Sequence, residues 1–127
     1  MQISTFEDLL SAAAAQAEPQ TLLLAFARAE PEPDTAPGAQ PRVTLVPTMC
    51  VDKAAAAVQS FGQLADEADG MGQPWDVMLV TSLAGGGHAR DAARVDQALR
   101  RMIQLVREGR MTQLLAFGRG GELLRQA

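Results

Sequence analysis

Two short apolar runs constrain the fold of this chain more than any other feature of its sequence. Residues 21–27 include six apolar residues in succession, and residues 75–83 contain the uninterrupted apolar stretch 77–80 between Pro74 and a run of glycines. Apolar runs of this length, bounded by residues that break helices, are typical of strands buried on both faces. We therefore predict a sheet covered by helices, with residues 75–83 as its central strand.

Three amphipathic stretches are expected to supply the helices. Ser4 followed by Glu7 matches a capping box and predicts a first helix over about residues 5–17. Asp52 is a candidate cap for a second helix, whose apolar stripe runs from residue 54 to residue 68. The third helix has the strongest periodicity, with apolar side chains at positions 95, 99, 102, 103 and 106, and is expected to end near Gly109.

The remaining apolar segments complete the predicted sheet. Residues 43–49 form a strand that Pro47 places at an edge or bends, and residues 114–117 and 122–124 form a terminal hairpin. The predicted order is α-β-β-α-β-α-β-β, a mixed α/β (α+β) domain over residues 1–127 with about five strands in a single mixed sheet and three packed helices. Two strand–helix–strand units favour parallel crossovers, and a mobile Pro-rich loop is expected at about residues 30–42.

Composition excludes several classes of protein. The apolar stretches are far shorter than the ~20 residues that a membrane-spanning helix needs, so we expect no membrane association. The N-terminus lacks the pattern of a signal peptide, and the single cysteine, Cys50, allows no disulfide within the chain, which together favour the cytoplasm. A sequence pI near 4.9 argues against a nucleic-acid partner.

Charge is distributed unevenly along the chain. Residues 1–87 hold three basic and eleven acidic side chains, a formal charge of −8, whereas residues 88–127 hold eight arginines and four acids, a formal charge of +4. Such charges most often form ordinary solvated helix faces. The alternative is that the polarity steers an anionic ligand or pairs one subunit with another, which makes a homodimer the expected assembly.

Several polar residues follow the predicted strands and would meet at one end of a parallel sheet. The candidates for an anion-binding site are Lys53, Ser82, Gly85, Gly86, Gly87, His88 and Arg90. Exposed amides of a glycine-rich loop at a helix N-terminus suit a small anion. A plain connecting loop is the other interpretation, because neither the phosphate-loop pattern nor the dinucleotide fingerprint is present. We predict no cofactor.

Cys50 and His88 are the only candidates for a catalytic pair. A thiol before a helix N-terminus and near Lys53 would favour the thiolate, and His88 would be the only imidazole base. The plainer interpretation makes Cys50 a small buried residue and His88 a solvated side chain, so we assign no catalytic residue. We also predict no metal site, since one His and one Cys do not make a zinc site, and Asp66, Glu67 and Asp69 are typical of a solvated helix end.

The segment 45–53, with sequence LVPTMCVDK, the strand around Trp75 and the ending at 115–117 resemble a group of short bacterial proteins of unknown function. These proteins are often labelled ribonucleotide reductase subunit alpha. A reductase catalytic subunit would need a radical-forming cysteine and a redox pair, and this chain has only Cys50. The resemblance therefore implies no catalytic residue.

Two functions follow from these patterns. The first is a small non-catalytic domain that self-associates or binds another protein, suggested by the charge asymmetry and by exposed strand edges. The second is a binder of a small anionic ligand, or an enzyme acting on one, at the strand ends and the loop from Gly85 to Gly87.

Overall fold

A computed structural model of the chain describes residues 2–31, 43–84, 92–110 and 112–124. A short 3₁₀ turn, Ala55–Ala57, separates the second strand from the second helix. The remaining elements are α1 (Phe6–Ala14), β1 (Gln20–Pro31), β2 (Val43–Ala54), α2 (Phe61–Gly70), β3 (Val77–Ala84), α3 (Ala92–Arg107), β4 (Leu115–Phe117) and β5 (Leu123–Leu124). The predicted order of helices and strands is confirmed. None of these helices is long and apolar enough to cross a bilayer.

The five strands form one sheet in the order β2-β1-β3-β4-β5, and every neighbouring pair is antiparallel. The expected parallel crossovers are therefore wrong. β2 and β3 run in the same direction, but β1 lies between them and pairs with both. After β3 the helix α3 packs against β1 and β2. Because β4 pairs with β3 in the antiparallel direction, the chain enters β4 at the same end of the sheet at which it left β3.

The two central strands match their prediction closely. Residues 21–27 of β1 are all buried, as expected for a strand covered on both faces, and β3 is the third strand of five. β2 lies at the edge of the sheet, and its register against β1 shifts between Phe26 and Ala27, next to Pro47. The proline thus marks both an edge strand and a bulge, because it contributes no N–H group to the ladder.

Helices cover both faces of the sheet. On one face α1 and α2 pack with the side chains of Leu22, Leu24 and Phe26 from β1, and we call this the aromatic face because all five ring residues lie there. On the other face α3 packs with Leu23, Ala25 and Ala27, and we call this the aliphatic face. The alternation of side chains along β1 divides its apolar run between the two cores.

Two helix starts differ from the prediction. α1 is capped by Thr5, whose hydroxyl accepts from the Asp8 N–H, and not by the Ser4–Glu7 pair. α2 is capped by Ser60 instead of Asp52, because β2 continues through Asp52 to pair with β1 as far as Ala54. The cross-strand pairing outweighs the local preference of aspartate for a helix cap.

The terminal hairpin is confirmed and packs against the N-terminus. β4 and β5 are antiparallel, and the Phe6 N–H donates to the Gly121 carbonyl at 2.9 Å. Gly121 has a φ of +84°, and a Cβ there would lie 3.1 Å from the Phe61 ring. A glycine is required at this turn by both its backbone conformation and its packing.

Most of the predicted Pro-rich loop lies outside the described residues. Its first two residues, Glu30 and Pro31, belong to β1, which is therefore longer than predicted. Glu30 forms an ion pair with Arg28 on the same strand.

Candidate functional site

The predicted anion site is only partly described. Lys53 and Ser82 both lie opposite Leu22, on its two neighbouring strands, so they share one row across the sheet about 10 Å apart. The Lys53 Nζ lies 3.1 Å from a Glu67 carboxylate oxygen, so its charge is already paired. The other candidates, Gly85, Gly86, Gly87, His88 and Arg90, lie outside the described residues, and the anion site stays a prediction.

The strand ends do not converge as the parallel arrangement required. β2 and β3 end at the same end of the sheet, where Ala54 and Leu83 lie opposite Thr21. β4 runs the other way, so Gly118 and Arg119 follow it at the opposite end of the sheet. The antiparallel pairing of β3 with β4 therefore separates residues that the sequence placed together.

Cys50 is exposed, so its interpretation as a buried core residue is wrong. It lies within β2 opposite Ala25, on the aliphatic face, and no helix begins beside it. Lys53 is three residues further along the strand and lies on the opposite face, since successive side chains alternate. Neither of the two features expected to favour the thiolate, a helix N-terminus and a lysine on the same face, therefore lies beside Cys50.

The acidic end of α2 is paired more fully than a solvated helix face would be. Arg119 donates to both carboxylate oxygens of Asp69, at 3.0 and 3.1 Å, and its guanidinium lies 4.0 Å from the centre of the Trp75 ring. The Trp75 indole N–H donates to the same carboxylate at 3.0 Å. The Arg119 hydrogen bonds, with that of Trp75, lower the pKa of Asp69 below its ordinary value of 3.8.

An open apolar groove of about 530 Å³ lies between β2 and α2 on the aromatic face. Its walls include Phe26, Met49 and Val51 from the strands and Leu64, Ala68 and Met71 from α2 and its C-terminal turn. Met71 is 71% exposed, the largest exposed fraction of any large apolar side chain in the described part of the chain. Cys50 and the Lys53–Glu67 pair also border the groove.

The groove opens beside an edge strand that is long for its position. Among the described strands, β2 has twelve residues and pairs with β1 on one side only, whereas the opposite edge strand, β5, has two residues. Pro47 and the bulge divide β2, and Thr48 at the bulge donates its hydroxyl to backbone carbonyls of Phe26 and Pro74. The segment from Thr48 to Ala54 is the longest uninterrupted stretch of this free edge.

This groove was not found from the sequence. The segment from Asp52 onwards is instead expected to begin a helix. The available signal was the alternation of Met49, Val51 and Lys53, which continues the period-2 pattern of the strand.

In the described parts of the chain, no three His, Cys, Asp or Glu side chains are grouped closely enough to hold a metal ion. No protein-family model, curated protein or solved structure matches the sequence or the fold of this chain. The candidate site with the clearest geometry is therefore the groove together with the free edge of β2, which we call the edge–groove surface.

Proposed function

We propose that this chain is a small non-catalytic domain that self-associates through the edge–groove surface. The observation that carries the proposal is the free edge of β2 running beside an open apolar groove. An unpaired edge offers a row of backbone donors and acceptors to a second strand. The groove offers apolar area whose removal from water favours association.

The composition of the groove supports a protein partner. Met49 and Met71 lie on its two walls, and methionine side chains adapt their shape to a partner surface more readily than branched ones. Met71, which follows the last residue of α2, projects into solvent, although Leu64 and Ala68 within that helix are buried. The exposed side chain extends the apolar surface of the groove, and contiguous apolar surface of this kind, unlike a single exposed residue, marks interaction sites.

The features that protect edge strands limit the contact without removing it. Pro47 and the bulge interrupt the ladder at one end, and Lys53 places a charge near the other. Between them the residues on the aromatic face are Met49 and Val51, which carry no charge. The proposed contact is therefore short, and two-fold association is the simplest closed assembly that uses it.

The test substitutes Met71 and compares it with a matched exposed residue. Met71→Glu should weaken self-association about tenfold, since it replaces apolar contact area with a charge that must be desolvated. Leu124→Glu introduces the same charge at the only other exposed large apolar residue described, on the opposite edge of the sheet, and should leave association unchanged. Sedimentation velocity over a concentration series measures both.

Urea titration provides the control for folding. Met71 is 71% exposed, so Met71→Glu should change the free energy of unfolding of the monomer by about 0.5 kcal/mol or less, whereas Leu124 is 36% exposed and its substitution should cost about 1 kcal/mol. A wild-type chain that sediments as a monomer at every concentration would rule out self-association. Equal weakening by the two substitutions would show that the added negative charge, and not the groove, is responsible, and no weakening by Met71→Glu would place the contact away from the groove.

A further inference from the structure

We infer that two copies of the chain pair through their β2 strands in one register, antiparallel about a two-fold axis that passes through Cys50. This inference rests on the proposed self-association and adds the pairing of β2 with β2 and its alignment. It would join the two five-stranded sheets into a single continuous sheet.

The pleat of the strand limits the choice of axis. In a continuous antiparallel sheet, residues directly opposite each other lie on the same face. Met49, Val51 and Lys53 lie on the aromatic face, while Cys50 and Asp52 lie on the aliphatic face. A two-fold axis perpendicular to the sheet must therefore pass between one residue of β2 and the same residue of the second copy, and we call this an axis through that residue. Each odd-numbered residue then opposes another odd-numbered residue.

Most positions for the axis are unfavourable. An axis through Asp52 or Lys53 sets two like charges directly opposite each other, which destabilises a strand pair. An axis through Thr48 or Met49 brings Pro47 or the bulge into the middle of the new ladder, where the missing N–H and the irregular register interrupt pairing. An axis through Ala54, the last residue of β2, would set the other residues of the strand opposite the 3₁₀ turn and the segment after it, so within the stretch from Thr48 to Ala54 only axes through Cys50 and Val51 remain.

The axis through Cys50 gives the better cross-strand pairs. It sets Val51 opposite Met49 of the second copy, twice by symmetry, and Asp52 opposite Thr48. The axis through Val51 instead sets Lys53 opposite Met49, a charge against an apolar side chain, twice by symmetry. Apolar side chains opposite each other stabilise a strand pair, and Cys50, being exposed, has room for its own copy.

The chosen register also connects the two grooves. Met49 and Val51 of each copy would form one apolar strip on the aromatic face, with the two Met71 side chains beside it. The ladder ends where Lys53 meets Pro47, so the charge remains at the periphery. The second copy thus covers the apolar residues that β2 and the groove leave exposed.

Oxidative crosslinking tests the register, because Cys50 is the only cysteine of the chain. Diamide is reduced as it joins two thiols into a disulfide. It should link wild-type chains about tenfold faster than chains of a Cys50→Ser, Val51→Cys double variant. In the proposed register the two Cys50 residues are directly opposite and within disulfide reach, whereas the two residues at position 51 are diagonal and lie ~7–8 Å apart. Each rate is divided by that of alkylation with N-ethylmaleimide, which corrects for accessibility. The Met71→Glu variant, at a concentration at which it sediments as a monomer, gives the rate from random collisions.

Each outcome has a defined meaning when sedimentation is measured alongside, under reducing conditions. Faster linkage through Cys50 in a chain that dimerises supports the register. Faster linkage through Val51→Cys shows that the axis passes through Val51, and a dimer that links through neither position has its interface elsewhere. In those two cases the register is wrong while self-association stands, whereas a monomeric chain would contradict both.

Discussion

The aromatic and aliphatic faces of the sheet reach the same degree of burial by different means. The aromatic face contains all four phenylalanines and the tryptophan of the chain. The aliphatic face contains leucine, valine, methionine and alanine side chains, contributed by α3 and the strands. Strand β1 supplies buried residues to both faces, and the difference between the faces arises from the strands, which contribute Phe26 and Phe117, as well as from the helices that cover them.

The rings on the aromatic face meet in edge-to-face pairs. Phe6 contacts Phe61 and Phe117 with ring centres 5.7 and 5.5 Å apart, and Trp75 contacts Phe26 at 5.1 Å. Such pairs depend on angle as well as on distance, so they fix the positions of α1 and α2. The aliphatic face instead places Ala25 and Ala27 beneath α3, and aliphatic packing of this kind tolerates small shifts of the helix. The first face is therefore specified by ring geometry and the second by the amphipathic pattern of α3.

Phe6→Ala should produce the largest loss of stability, about 3–5 kcal/mol, because Phe6 is fully buried and joins two ring pairs. Chemical denaturation of the variant and the wild type measures the change. Phe6→Leu is the matched control: it keeps most of the apolar volume and loses the ring contacts, so it should cost about 1–2 kcal/mol. Equal losses in the two variants would show that ring geometry, and not buried volume, determines the stability of this face.

Met102→Ala tests the aliphatic face and should cost less, about 2–3 kcal/mol, which is the lower part of the range for removing a buried methionine. The residues around it on α3, such as Leu99 and Ile103, are only partly buried, so the helix has room to settle into the gap. Leu99→Ala is the control on the same helix and should cost less again. A loss as large as that of Phe6→Ala would mean that α3 is held as rigidly as α1, and the contrast between the faces would be wrong.

The sequence predicts the aliphatic face better than the aromatic one, for a physical reason. The stripe of α3 repeats at helical spacing, so its position and its buried side are both visible in the chain. Phe6, Phe61 and Phe117 are separated by more than fifty residues each, and no local pattern indicates that they meet. Their contact depends on the terminal hairpin packing against the N-terminus, which is a tertiary event.

The edge–groove surface was missed because two local signals pointed to a helix. Asp52 followed by several alanines matches a helix start, yet pairing with β1 extends the strand to Ala54. The exposure of Cys50 has a similar cause, since its neighbour Ala25 is fully buried while Cys50 lies one strand further out, at the edge. Which strand forms the edge of a sheet is decided by strand order, and local sequence does not contain that order.

The smallest expected effect concerns the polar contact that supports the aromatic face, between Asp69 on α2, Arg119 in the terminal hairpin and Trp75. Because Arg119 lowers the pKa of Asp69 in the folded state, the contact stabilises the fold at neutral pH, and this contribution is lost as the pH falls below about 3.8. Asp69→Asn should therefore lower the melting temperature at pH 7 by a few degrees at most, and the difference from wild type should shrink towards zero in acid.

Asp66→Asn is the control, since it removes the same charge from the same helix and shows no ion pair in the described structure. Asp8, whose pKa is lowered by backbone N–H groups of Ser4 and Thr5, remains in both variants, so each should keep part of the acid-induced loss of stability. A difference between Asp69→Asn and wild type that persists unchanged at pH 3 would show that Asp69 acts through hydrogen bonding alone and not through its charge.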